Sequence, residues 1–90
     1  MAHLAKEKSR LLARIRRLKG QMEAIERALE ADAPCGDVLN LVASVRGAVN
    51  GLTSELLEDH IRAHVIGAEN KDELEKGAAE LIEVVRTYLK

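Results

Sequence analysis

The chain holds one cysteine and three histidines, and their positions suggest ligand chemistry. Cys35 follows Pro34 at the expected start of a helix. Backbone N–H groups exposed there favour an anion, so a thiol at that point makes a good ligand or nucleophile. His60 and His64 are spaced i,i+4, which puts both imidazoles on one helix face and suits a metal held by two nitrogens. His3 follows Ala2, and removal of Met1 would free an α-amine beside its imidazole, a pair able to chelate. Each feature also has a plainer reading: a small apolar filler, two surface histidines and a frayed terminus.

Cys35 cannot reach the histidines of its own chain along one straight helix. Their separation in sequence corresponds to roughly 37 Å of helix for His60. A second copy packed antiparallel brings Cys35 beside residues 60–64 of its partner and makes two equivalent sites. The twofold axis then crosses near residues 48–49. The surrounding Gly47-Ala48-Val49-Asn50-Gly51 is small enough for two backbones to approach closely.

The elements that must place these groups are helical. Hydrophobic residues make up 47% of the 90 residues and aromatics 1%, a palette suited to long packed helices in a single domain. Three helices are expected, over about residues 5–31, 34–66 and 71–89. The first has a heptad seam of Leu4, Leu11, Ile15, Leu18, Met22, Ile25 and Leu29. The second has Val42, Val45, Val49, Leu52 and Leu56, with further apolar residues that call for cover on more than one side. Oligomers built around this helix are therefore expected. The third has Leu74, Ala78, Leu81, Val85 and Tyr88, and opens on Asn70 with Glu73 as a capping box.

The net charge of −1 conceals an asymmetry. Residues 6–19 carry a local +6 and the rest −7. Lys6, Arg10, Arg14 and Arg17 follow one face, continued by Gln21 and flanked by Arg16 and Lys19, and neither Arg14 nor Arg17 lies on the seam. With no aromatic platform for single strands, double-stranded DNA is the partner that fits best. A merely solvated polar face is the plainer alternative. The lone cysteine excludes an intrachain disulfide framework and suits a cytoplasmic setting. No apolar run reaches the ~18 residues of a membrane span. No Ser/His/Asp set, phosphate loop or recognisable carboxylate pair is present, so an enzyme is not expected.

Arg14-Ile15-Arg16-Arg17-Leu18-Lys19-Gly20-Gln21, Cys35, Val45-Arg46-Gly47-Ala48-Val49-Asn50-Gly51-Leu52 and His60-Ile61-Arg62-Ala63-His64 together resemble the CsoR/RcnR family. These small all-helical bacterial repressors sense copper, nickel or cobalt, or, in the FrmR branch, formaldehyde. The resemblance covers essentially the whole chain. It implies an all-α, three-helix protomer, an antiparallel homodimer and a disc-like homotetramer. It also implies operator DNA as partner, and a ligand site between Cys35 and the second helix of the neighbouring protomer.

Within the family, His3, Cys35, His60 and His64 resemble the nickel/cobalt sensors. That implies Ni(II) or Co(II) as effector, with the Ala2 amine as a further donor. Zn(II) would fit the same ligands tetrahedrally. Copper sensors usually carry a second cysteine where His64 stands, and Cu(I) favours few, soft ligands. Formaldehyde sensors bridge an N-terminal proline amine to the thiol matching Cys35, and often carry glutamate where His64 stands. Here the amine would be the primary amine of Ala2, which also condenses with formaldehyde. Outside the family, the alternative is a helical scaffold or adaptor whose basic helix meets an acidic protein.

Overall fold

The computed structural model describes residues 8–89, so the expectations for Ala2, His3, Leu4 and Lys6 lie outside the described residues. Helix α1 spans Lys8–Glu30, α2 Cys35–Ile61 and α3 Lys71–Tyr88. A π-helical turn, Arg62–Ile66, continues α2. No strand occurs among the described residues. The fold is all-α with three helices, as expected. None of the described helices is long and apolar enough to cross a membrane.

The boundaries follow local chemistry. Past the end of α1, Asp32 takes a left-handed backbone with φ 54°. Its N–H reaches the Leu29 carbonyl at 3.1 Å, and Ala33 N–H reaches that of Ala28 at 2.9 Å. This pair satisfies carbonyls that the helix end leaves open, and Asp tolerates the left-handed region better than most residues. Pro34 stands one place before the position expected for it: its carbonyl accepts from Val38 at 3.3 Å, and Cys35 is the first helical residue. At α3, Asn70 Oδ1 accepts from Glu73 N–H at 2.9 Å, and Glu73 Oε2 accepts from Glu69 N–H at 3.1 Å. The cap is in place, with the return bond one residue earlier than in the usual box.

The expected second helix does not run as α-helix to residue 66. Its α form stops at Ile61, and Gly67 N–H closes on the Arg62 carbonyl at 2.9 Å, an i→i−5 bond. The wider turn turns His64 away from its α-helical register.

The described residues form two units, 8–53 and 54–89. In the first, α1 and the leading part of α2 run antiparallel. Gln21 meets Ser44, and seven residues back Arg14 meets Gly51. Leu11, Leu18 and Ile25 of α1, with Val38, Leu41, Val45, Ala48 and Leu52 of α2, are half-buried. Other seam positions stay exposed: Ile15, Met22 and Leu29 on α1, Val42 and Val49 on α2. In the second unit Gly77 is buried and Ala78 and Leu81 are half-buried, while Leu74, Val85 and Tyr88 are exposed. No hydrophobic side chain among the described residues is fully buried.

The Asn70 cap gives a direct test. Asn70→Ala should destabilise the protein by about 1 kcal/mol. Thermal denaturation at fixed protein concentration should show a lower midpoint, and an unchanged midpoint would contradict the capping role.

Candidate functional site

His60 lies in the last turn of α2 and is half-buried. Its Nε2 is 3.0 Å from the Gly77 carbonyl of α3. A carbonyl only accepts, so Nε2 carries the proton. In the neutral ring the lone pair is then on Nδ1, which becomes the donor nitrogen. Metal-binding histidines use this arrangement, the outer N–H held by a carbonyl or carboxylate while the other nitrogen binds. Glu80 Oε1 stands 3.9 Å from Nε2, beyond hydrogen-bond reach.

His64 sits in the π turn, and its ring centroid is 5.0 Å from that of His60, with the planes tilted by 47°. The two imidazoles are adjacent although His64 lies in the π turn. A metal needs nitrogens about 2.0–2.1 Å from itself, which small side-chain rotations of neighbouring rings can supply. Two neighbouring imidazoles are the kind of nitrogen donors a borderline metal ion takes.

Cys35 is exposed at the first position of α2. The chain brings His60 and His64 together and leaves Cys35 at the opposite end of the helix. Among the described residues no three His, Cys, Asp or Glu side chains gather as a group able to hold a metal. A single protomer thus presents two nitrogens at one place and one sulfur at another.

The basic segment divides into two kinds of residue. Arg10, Arg16, Arg17 and Lys19 are exposed. Arg14 and Gln21 are half-buried on the side of α1 facing α2. Contrary to expectation, Arg14 lies on the inner row with Leu11 and Leu18, its Nη1 2.9 Å from the place a Gly51 Cβ would take. Gln21 Nε2 donates to Ser44 Oγ at 3.2 Å, and its buried Oε1 has no hydrogen-bond partner. The small-residue segment also divides: Gly51 is covered by Arg14 of its own chain, whereas Gly47 faces open space.

Sequence reasoning missed the role of Gly77. A glycine in the interior of a helix, beside the seam residue Ala78, was the available signal, since such a residue often has a packing or functional reason. The Arg14–Gly51 contact and the π turn left no comparable mark.

Solved proteins place this fold in the class of helical transcriptional regulators. A variant of the formaldehyde-responsive regulator FrmR from Salmonella enterica serovar Typhimurium is similar, with TM-score 0.85 and 44% identity, over 93% of this chain and 96% of that one. The copper-sensing repressor CsoR of Geobacillus thermodenitrificans, solved with Cu(I), shares the fold at TM-score 0.88 and 24% identity, over 96% of this chain and 90% of that one. The transcriptional repressor RcnR of Citrobacter koseri is 31% identical over the full length of both chains. An uncharacterized protein in the bioA 5′ region of Serratia marcescens is 46% identical over the full length of both. The profile of the metal-sensitive transcriptional repressors matches residues 7–87, and this chain belongs to that family, which includes CsoR, RcnR and FrmR.

The two kinds of basic residue should behave differently. Arg17→Ala should flatten the salt dependence of duplex DNA binding by about one unit of slope and leave the thermal midpoint unchanged. Arg14→Ala should lower the midpoint as well, because its guanidinium also covers Gly51. Equal midpoints for both variants would contradict the inner placement of Arg14.

Proposed function

We propose that this chain is a nickel- or cobalt-responsive repressor that leaves operator DNA when its effector binds between protomers. The observation that carries this reading is the imidazole pair, with His60 held so that Nδ1 is the free donor. Cys35 of a second, antiparallel copy supplies the thiolate, and His3 and the Ala2 amine complete the set. The 31% identity to RcnR over the full length supports the same branch. A borderline ion suits such nitrogen-rich donors with one sulfur better than Cu(I) does, while Zn(II) competes for them.

The function follows from what each residue can do. Arg10, Arg16, Arg17 and Lys19 meet phosphates, and Arg14 and Gln21 sit at the junction between the basic face and α2. The apolar stripes left open on α1 and α2 are covered in a homodimer and homotetramer. When Cys35 of one chain and His60 and His64 of another share an ion, two protomers are tied in one relative arrangement. Release of DNA requires that arrangement to bind the effector more tightly than the DNA-bound one does. A coupling of about 1–3 kcal/mol would weaken DNA binding roughly 5–150-fold.

A second reading is formaldehyde sensing, favoured by the 44% identity to a formaldehyde-responsive regulator and by the exposed Cys35 thiol. There the Ala2 amine and the Cys35 thiol would condense with one formaldehyde, forming an N–CH2–S bridge and releasing water. That chemistry makes no use of the imidazoles.

Subunit complementation tests the shared metal site. Neither Cys35→Ala nor His60→Ala/His64→Ala should bind nickel or cobalt tightly alone. Mixed and re-annealed, they should regain about one tight site per heterodimer, with a thiolate charge-transfer absorption. Well-formed heterodimers without that site would overturn the reading. Release of the parent protein from DNA by formaldehyde and by none of Ni(II), Co(II), Zn(II) or Cu(I) would establish the second reading in its place.

A further inference from the structure

Gly77 is the buried residue of α3, and both candidate histidines meet it. Its carbonyl accepts from His60 Nε2 at 3.0 Å. Its α-carbon faces the π turn so closely that an added Cβ would collide with the His64 carbonyl oxygen, and would lie 2.8 Å from the His64 carbonyl carbon and 2.9 Å from its Cβ. Two of these three atoms are backbone, which cannot swing aside as the end of a side chain can. By contrast, Gly20, Gly36 and Gly47 have nothing within 4 Å of an added Cβ.

We propose that Gly77 is the positioning residue of the imidazole pair: its missing side chain lets α3 close against His64, and its carbonyl then fixes which nitrogen of His60 faces a ligand. The two effects are linked by geometry. The carbonyl can hold His60 only while α3 stays this close to the π turn, and any side chain at position 77 opens that gap. With the gap open, His60 loses its acceptor and both neutral tautomers become accessible. The proton then occupies Nδ1 for part of the time, and the donor nitrogen is blocked. The consequence for metal affinity rests on the proposed metal site, whereas the tautomer itself does not.

Glu80 is a second acceptor near this nitrogen. At 3.9 Å from Nε2 and with its side chain 52% exposed, it is a weaker candidate for holding the proton. The two acceptors can be separated because Glu80 can be changed without moving the α3 backbone.

The test uses the full-length protein without metal, labelled with 15N. Long-range 1H–15N correlation spectra at a pH where the rings are neutral report the tautomer of each histidine. In the parent, His60 should be a single Nε2–H tautomer, and Glu80→Gln should leave it so. Gly77→Ala should give mixed tautomers at a temperature where its helicity equals that of the parent. The same variant should bind nickel or cobalt about 10–100-fold more weakly, the usual effect of losing such a supporting contact. Gly20→Ala, where space is open, should change neither readout. An Nδ1–H tautomer in the parent, loss of the Nε2–H form in Glu80→Gln, or a folded Gly77→Ala with the parent tautomer would each overturn the proposal. If Gly77→Ala does not fold, the parent and Glu80→Gln spectra decide it. A parent with the Nε2–H tautomer that binds neither nickel nor cobalt would overturn the metal reading and leave the positioning role standing.

Discussion

An α-helix rises about 1.5 Å per residue, and α2 carries Cys35 at its first position and His60 in its last turn. That rise keeps the thiol and the imidazoles apart in one chain, however the side chains turn. One protomer therefore has the thiol at one end of α2 and the imidazole pair at the other. In the proposed antiparallel pairing two copies would complete both sets, and ligand binding would then be coupled to protomer arrangement. Under the proposed function, the length of this single element is what makes the chemistry depend on assembly.

The same dependence appears in the packing. Leu11, Leu18 and Ile25 of α1 and Val38, Leu41, Val45, Ala48 and Leu52 of α2 are half-buried, yet no hydrophobic residue among those described is fully buried. Met22 and Leu29 remain 57% and 61% exposed. Apolar surface of this kind is stabilised by covering it, so folding and association contribute to the same free energy. A sensor built this way couples its parts cheaply. In the proposed assembly, an effector that prefers one arrangement of protomers would shift the equilibrium by its difference in affinity.

Glycines stand at two places where a helix closely approaches a candidate site residue. Gly51 gives room to the Arg14 guanidinium, which ties part of the basic face to α2. Gly77 lets α3 meet the π turn and the imidazole above it. A helix glycine is about 1 kcal/mol less favourable than alanine, so both positions exchange helix stability for close approach.

The fold was largely legible in the sequence. Heptad spacing, Pro34 and Asn70 located three helices to within a few residues, because helix periodicity and capping are local properties. The family was legible too, through motifs spread over the whole chain. Which seam residues face inward was not: Ile15 and Leu18 are equally apolar, and only packing against α2 distinguishes them. Sequence also placed Arg14 on an outer face, whereas the tertiary structure turned it onto Gly51. For the site, the i,i+4 spacing of His60 and His64 determined that the imidazoles would be neighbours. The proton position on His60 was decided by the carbonyl of Gly77, seventeen residues away in sequence. Spacing along one helix is fixed by the chain itself, but a hydrogen bond between helices exists only once they have packed.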